Sequence, residues 1–269
     1  MTRGFESVAT VRHSDGARVD EEDAVAAEEP LEIRIDDDVF AVTLRTPGSD
    51  LELVVGLLWS EGIIDSRDDI GSLSHCRDAN SGANPNVVRV TSAPGRVLVT
   101  ENTVRRGTLV SSACGVCGRK SIDDLCERTR PISTAARLPA SRIVALPSEL
   151  GEHQSAFAIT GGVHAAGLFM NDRLHLARED VGRHNAVDKV LGRLVLDATE
   201  VTPDAVLVVS GRAGFDIVQK ACVAQVPFVV AVSAPSSMSV GLARAAGITL
   251  VGFARGGGFR VYSHPDRVV

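Results

Sequence analysis

Residues 205–251 read AVLVVSGRAGFDIVQKACVAQVPFVVAVSAPSSMSVGLARAAGITLV, and this stretch decides the fold. Short valine-rich runs alternate with segments whose apolar residues recur at helical spacing, and each change falls at a turn rich in glycine, serine or proline. Valine-rich runs of this length are typical of buried strands. The stretch therefore predicts an α/β fold, a mixed sheet covered by helices on both faces. The predicted elements are strands 205–209, 228–233 and 248–251 and helices 215–224 and 237–246.

The same pattern extends upstream. Two apolar runs at 163–169 and 174–178 predict a pair of strands joined by a tight turn, and helical spacing follows over 184–198. We therefore expect the α/β domain to occupy residues 121–269.

A smaller α+β domain is predicted over residues 28–110, ahead of the α/β domain. Alternating apolar and polar residues indicate strands there, and one segment with helical spacing ends at a glycine. The predicted elements are strands 31–35 and 39–44, helix 50–61, strand 73–77, a loop at 80–85 and strand 86–91. Residues 1–27 are mostly polar and include the acidic run 20–23, so we expect a loosely ordered tail.

The composition limits the function classes. The chain has 269 residues, 44% of them hydrophobic and 23% charged, which is ordinary for a globular protein. The net charge of −6 argues against a nucleic-acid surface. No apolar run approaches the roughly 18 residues of a membrane span, and no secretory signal opens the chain. We expect a cytoplasmic protein without nucleic-acid or membrane partners.

A CxxC pair, Cys114 and Cys117, lies in the glycine-flanked segment 111–120. Flanking glycines favour a mobile loop with uncovered sulfurs. A helix is predicted directly afterwards at 121–128, and the positive end of its dipole favours thiolate over thiol, as do the charges of Arg119 and Lys120. The pattern is typical of a nucleophilic, sulfur-handling loop.

Three other interpretations compete for the CxxC pair. A closed structural zinc site needs a second ligand pair, and the remaining cysteines, Cys76, Cys126 and Cys222, supply none at ligand spacing. A thioredoxin-type redox pair usually has an aromatic residue and a proline nearby, which are absent here. An odd cysteine count without a secretory signal disfavours a structural disulfide.

Three predicted strand-to-helix turns, 179–185, 210–215 and 233–237, carry polar and aromatic side chains. In a parallel α/β sheet such turns gather at the carboxyl edge, and the N–H groups of helix N-termini favour anions such as phosphate. The candidate ligand-binding residues in these turns are His184, Asn185, Arg212, Phe215, Ser236 and Ser237. His184 could equally be a helix-cap residue.

A fourth candidate element follows the last predicted strand. It consists of Phe253, Ala254, Arg255, Gly256, Gly257 and Gly258. The glycines allow close approach of the backbone to a ligand, and the aromatic ring and the guanidinium could stack and bind phosphate. Together with the three turns, this run favours a nucleotide-like ligand. The chain has no GxxxxGK[ST] motif, so it is not a P-loop NTPase.

The assembled motifs closely resemble the formate dehydrogenase accessory proteins of the FdhD/NarQ family. The resemblance runs from about Glu28 to the C-terminus. The segments that carry it are 112–118, 160–164, 179–189, 210–212 and 253–258.

The resemblance implies a sulfurtransferase-type sulfur carrier. Cys114 would accept persulfide sulfur from a cysteine desulfurase, and Cys117 would assist delivery or act as a second carrier. The sulfur would pass to a molybdenum (or tungsten) bis-guanine-dinucleotide cofactor, bound as substrate by the run 253–258, before that cofactor enters the catalytic subunit of formate dehydrogenase. GDP would bind as a fragment of the cofactor. The family also implies a cytidine-deaminase-like second domain and a homodimer.

The zinc signature of the deaminases, H-x-E with P-C-x-x-C, is not intact. Ala165 and Ala166 follow His164, and Cys222 is the only cysteine after Cys126. We therefore expect no metal site and no deamination. Two rival functions stay open: a non-catalytic cofactor-binding chaperone with a zinc or structural CxxC, and a dithiol oxidoreductase.

Overall fold

The computed structural model describes residues 4–78, 82–98 and 130–269. The strands in this part of the chain are β1 (Phe5–Ser14), β2 (Ala17–Ala26), β3 (Glu29–Ile35), β4 (Asp38–Arg45), β5 (Ile70–Asp78), β6 (Gly82–Ser92), β7 (His164–Met170), β8 (Arg173–Asp180), β9 (Val206–Val209), β10 (Phe228–Ala231), β11 (Thr249–Arg255) and β12 (Gly258–Val261). The helices are α1 (Asp50–Glu61), α2 (Ala140–Gly151), α3 (Ser155–Thr160), α4 (Arg183–Leu196), α5 (Phe215–Val223) and α6 (Ser237–Ala246), with 3₁₀ turns at Arg67–Asp69 and Pro265–Arg267.

A six-stranded mixed sheet organises the C-terminal half, in the order β12-β11-β10-β9-β7-β8. Strands β9, β10 and β11 are parallel, whereas β7 is antiparallel to both of its neighbours and β12 is antiparallel to β11. Helices α4, α5 and α6 pack on one face through one apolar cluster, and α2 packs on the other through a second. The predicted mixed sheet with helices on both faces is confirmed.

The central strands explain why this sheet forms. All four residues of β9 and all four of β10 are buried, and six of those eight residues are β-branched or aromatic. Side chains of this kind pack well on a pleated surface that is covered on both sides.

The N-terminal half contains a four-stranded sheet in the order β4-β3-β6-β5, covered by α1. The predicted strands 31–35 and 39–44 are confirmed and pair as the β3–β4 hairpin. The predicted helix is also confirmed, and it ends at Gly62 in the left-handed conformation. Helix α1 crosses α4 at a very short distance. A Cβ atom on Gly56 would lie 1.9 Å from the Asp188 carbonyl oxygen, and one on Gly192 would lie 1.8 Å from that of Glu52. Glycine is therefore required on both helices at this crossing.

Some predictions about organisation were wrong. Residues 5–26 form an antiparallel hairpin, β1–β2, where we expected a loosely ordered tail. Asp15 and Gly16 both have positive φ, which is the geometry of a tight hairpin turn. The segment therefore forms a hairpin at this Asp-Gly pair even though its composition is mostly polar. Strand β6 begins at Gly82, inside the predicted 80–85 loop, and α2, α3 and β12 were not predicted.

The predicted CxxC loop at 111–120 and the predicted helix at 121–128 lie outside the described residues. Among the described helices, none has the length and apolar character needed to cross a membrane.

Candidate functional site

The predicted strand-to-helix turns meet at one edge of the six-stranded sheet. Strand β8 runs in the same direction as β9, β10 and β11 because β7 between β8 and β9 is antiparallel to both, so all four strands end at this edge. Hydrogen bonds join the turns directly, since Ser233 N donates to Gly211 O over 3.2 Å. The Ser210 hydroxyl in turn accepts from Ala165 N over 2.9 Å. The turns at 210–215 and 233–237 are therefore linked to each other and to the start of β7.

A cavity of about 690 Å³ opens beside these turns. Ser148 of α2, Phe157 of α3 and Gln154 between these helices line one side, and His164 and Ser210 lie at the sheet edge. The opposite side is the run Ala254, Arg255, Gly256 and Gly257, which the sequence had singled out. This volume is in the ordinary range for small-molecule and cofactor sites.

The glycines at the cavity have a definite conformational role. Gly256 and Gly257 have φ values of +60° and +80° and form the turn between β11 and β12. Two consecutive residues with positive φ are typical of a type I′ hairpin turn, and glycine adopts that geometry without strain. Nothing lies within 4 Å of a Cβ atom built on either residue, so the turn backbone is open.

Phe253 is held in an unusual conformation at the same run. Its φ is +54°, which is strained for a bulky residue, and its N–H donates to Ser233 O over 3.1 Å. The guanidinium carbons of Arg255 and Arg260 lie 5.8 and 4.9 Å from the centre of its ring, within the range of cation–π attraction. An aromatic ring and two cations are thus grouped next to the cavity.

Positive side chains also gather behind the cavity at the start of β7. Burial lowers the pKa of the half-buried His164, and the nearby charges of Arg183, His184 and Arg212 lower it further. His164 is therefore neutral at pH 7 and can accept a hydrogen bond from a ligand.

His184, at the N-terminus of α4, faces Asp216 of α5. Its Nε2 atom lies 2.5 Å from Asp216 Oδ2, and Arg183 Nε lies 4.0 Å from the same oxygen. Asp216 is buried, and none of these three atoms has a well-aligned hydrogen-bond partner among the described residues. The three side chains lie where the N-termini of α4 and α5 meet at the edge of the sheet.

The structure does not bring all of the predicted site residues into the cavity. Of the twelve candidates, only the four from 254 to 257 line it. Asn185 donates to Asp180 Oδ1 and Leu44 O, so its amide anchors the turn to the N-terminal half. Phe215 packs against the apolar cluster beneath α5, and the Ser236 hydroxyl caps α6 by accepting from Ser239 N.

The remaining candidates lie close to the site without lining the cavity. Arg212, Ser237 and Gly258 are exposed, and His184 and Phe253 are partly buried.

Sequence reasoning missed the α2–α3 side of the cavity. Ile143, Leu146 and Leu150 are buried along α2 at helical spacing, a signal that Pro147 obscures. Helix α3 has only six residues, and its N-terminus depends on a distant side chain, because Glu179 accepts hydrogen bonds from Ala156 N and Phe157 N. The spacing of apolar residues could therefore have predicted α2, but it could not have predicted α3.

The two cysteines predicted to carry the chemistry, Cys114 and Cys117, lie outside the described residues. Within the described part, Cys76 is half-buried and Cys222 is buried. No group of three or more His, Cys, Asp or Glu side chains in that part could hold a metal ion.

Comparison with known proteins gives a consistent result. The family model described as the FdhD/NarQ family matches residues 26–269. The sulfur carrier protein FdhD of Anaeromyxobacter dehalogenans is 49% identical over 255 residues, covering 91% of this chain and 88% of that protein. The sulfur carrier protein FdhD of Streptomyces coelicolor is 44% identical over 274 residues, covering 100% and 97%.

A solved structure has the same fold. A candidate formate dehydrogenase accessory protein from Desulfotalea psychrophila superimposes with a TM-score of 0.78 at 25% identity, covering 99% of this chain and 100% of that one. The sequence and structural matches span nearly all of the chain, including the edge of the sheet and the cavity. The chain belongs to the FdhD/NarQ family.

Proposed function

We propose that this protein is a sulfur carrier in the maturation of formate dehydrogenase. The observation that carries the proposal is the 49% identity, over 91% of the chain, to a protein named as a sulfur carrier. The glycine-flanked pair Cys114 and Cys117 supports it, because sulfur carriage needs an accessible, ionisable thiol.

The proposed first step is persulfide transfer to Cys114 from a cysteine desulfurase. The Cys114 thiolate attacks the outer sulfur of the persulfide on the donor cysteine. A new S–S bond forms at Cys114, the S–S bond of the donor breaks, and the donor cysteine leaves as a thiolate while the outer sulfur keeps its proton. This is ordinary thiol–disulfide exchange chemistry, and no further oxidant or reductant is needed.

The proposed acceptor is a molybdenum or tungsten bis-guanine-dinucleotide cofactor, bound as substrate at the cavity. Arg255 offers a charged donor to a diphosphate, and the open backbone of Gly256 and Gly257 allows close approach. Neutral His164 adds a hydrogen-bond acceptor. These features support the proposal that a nucleotide end such as GDP binds at this cavity.

Other parts of the proposal rest on the family resemblance. They are a homodimer, a cytidine-deaminase-like arrangement of the C-terminal half, and delivery of the cofactor to the catalytic subunit of formate dehydrogenase. The sulfurtransferase activity itself is part of the same proposal.

Intact-mass measurement after incubation with a cysteine desulfurase and cysteine tests the proposal. Persulfide on Cys114 adds about 32 Da, the mass of one sulfur. The adduct should persist in Cys117→Ala and be lost in Cys114→Ala. A loss of two protons without the adduct would indicate a dithiol oxidoreductase. One tightly bound zinc per chain, released when both cysteines are replaced, would indicate a structural CxxC.

A further inference from the structure

Strand β11 contains a β-bulge beside the cavity. Gly252 pairs with Arg260 of β12 and Arg255 pairs with Gly258, so β11 has one more residue than β12 between these two pairs. Phe253, with its positive φ, lies in this irregular stretch. A bulge turns a side chain away from the direction that regular alternation along the strand would give it, and both bulges and strained backbone are frequent beside functional sites.

The ring of Phe253 contacts two cations and does not face the cavity. Ala254 and Arg255 line the cavity, but Phe253 does not. The guanidinium carbons of Arg255 and Arg260 lie 5.8 and 4.9 Å from the centre of the ring, where its negative face attracts a cation. Phe253 is therefore placed to hold these two side chains, rather than to stack on a base inside the cavity.

The two arginines lack an acidic counterpart. Both are exposed, and neither forms an ion pair with an acidic side chain within residues 4–78, 82–98 and 130–269. Two cations beside one ring repel each other, and an anion bound between them would offset that repulsion and accept charge-assisted hydrogen bonds from both. A diphosphate carries several negative charges spread over two phosphate groups, so it suits two separate guanidinium groups.

We propose that Arg260 is a second diphosphate-binding residue beside Arg255, and that Phe253 is the positioning residue that holds both guanidinium groups at the cavity. The inference rests on the proposed function, because the diphosphate belongs to the guanine nucleotide end of the cofactor. It goes beyond that function in two respects. Arg260 was not among the predicted site residues, and Phe253 receives a role other than stacking on the base.

Three variants and a control test this assignment. Arg260→Ala removes the second cation. Phe253→Leu removes the ring but keeps a large apolar side chain, and Phe253→Tyr keeps the ring. Arg173→Ala is the matched control for charge, because it removes an exposed arginine on β8, at the opposite edge of the sheet. Equal thermal unfolding temperatures establish that every variant is folded.

Calorimetric titration with GDP at about 50 mM and about 500 mM salt separates charge from stacking, because salt screens the interaction between charges. At the lower salt concentration, Arg260→Ala should bind GDP about tenfold more weakly than wild type, and Phe253→Leu about fivefold more weakly. At the higher salt concentration, both variants should bind within about twofold of wild type. Phe253→Tyr and Arg173→Ala should bind GDP like wild type at both concentrations.

The loss of affinity in Phe253→Leu should therefore depend on salt, which neither a purely structural role of the ring nor stacking on the base would produce. An equal loss at both salt concentrations would overturn the positioning role of Phe253. Equal binding by Arg260→Ala and Arg173→Ala would overturn the role of Arg260. In both cases GDP binding by wild type leaves the proposed function intact.

The same titration separates failure of this inference from failure of the proposed function. If wild type gives no heat with GDP, the nucleotide site and the assignment of Arg260 and Phe253 are both wrong. Persulfide loading of Cys114, measured separately by intact mass, then decides whether the protein is a sulfur carrier.

Discussion

Lys220 and Asp188 form a buried ion pair, with Lys220 Nζ 2.6 Å from Asp188 Oδ1. Lys220 also donates to the hydroxyl of Ser60 over 2.8 Å. The three residues lie on α5, α4 and α1, so one polar cluster joins the N-terminal half to the sheet that carries the site. A second buried pair, Lys189 with Asp180, also connects the two halves, because Lys189 donates to Thr46 O over 2.9 Å.

Removing one partner of the first pair should be strongly destabilising. Lys220→Met leaves the Asp188 carboxylate buried without its cation, and we expect a loss of about 3–5 kcal/mol in the free energy of unfolding. Denaturant titration measures the loss. In the double variant Lys220→Met/Asp188→Leu no charge is left unpaired, so most of the stability should return. A double variant as unstable as the single one would show that the hydrogen bonds, rather than the unpaired charge, account for the loss.

The α1–α4 crossing should not tolerate even one added methyl group. Gly56→Ala places its Cβ against the backbone of Asp188, which cannot rotate away, and we expect a loss of about 1–3 kcal/mol. Gly241→Ala on α6 is the matched control, because nothing lies within 4 Å of its Cβ. The control should gain up to about 1 kcal/mol from helix propensity. Thermal unfolding temperatures are measured for both variants. Equal changes from wild type in the two variants would contradict the close contact between α1 and α4.

His164 should make the protein less stable in acid. Its folded-state pKa lies below the ordinary value of 6.5, so the unfolded chain binds the proton more readily. The neutral ring therefore makes its whole contribution to stability above about pH 6.5, and this contribution decreases as the pH falls below that value. Urea midpoints measured from about pH 7.5 to 5 should fall less in His164→Gln than in wild type. If the urea midpoints of the two proteins fall equally as the pH decreases, groups other than His164 cause the loss of stability in acid.

Arg255 should matter for nucleotide binding. We expect Arg255→Ala to weaken GDP binding about tenfold, because a charge-assisted hydrogen bond to the diphosphate is lost. Calorimetric titration measures the dissociation constant. The control is Arg173→Ala, which removes an exposed arginine at the opposite edge of the sheet. If both variants bind GDP like wild type, or if wild type gives no heat, the nucleotide does not occupy this cavity.

Local sequence patterns predicted much of the fold because the signals for those elements are local. Helix α6 spans Ser237–Ala246 as predicted, with the Ser236 cap before it and Gly247 in the left-handed conformation after it. The valine-rich runs identified β9 and β10 because a strand buried on both faces is apolar at every position. The hairpin at 5–26 was missed because its alternation is mostly polar, although the Asp-Gly turn was available as a signal.

The sequence by itself determined the family, the strand-to-helix alternation and the meeting of the turns at one edge, since strand direction follows from the order of elements along the chain. Only the tertiary structure decided which turn residues face the cavity. Asn185 donates hydrogen bonds to Asp180 and Leu44, and Phe215 packs against the apolar cluster. Phe157 lines the cavity from α3, a helix that the patterns had not indicated. The physical reason is that a side chain's orientation in a turn depends on the hydrogen bonds and apolar surface that distant segments offer it, and those contacts exist only once the chain has folded.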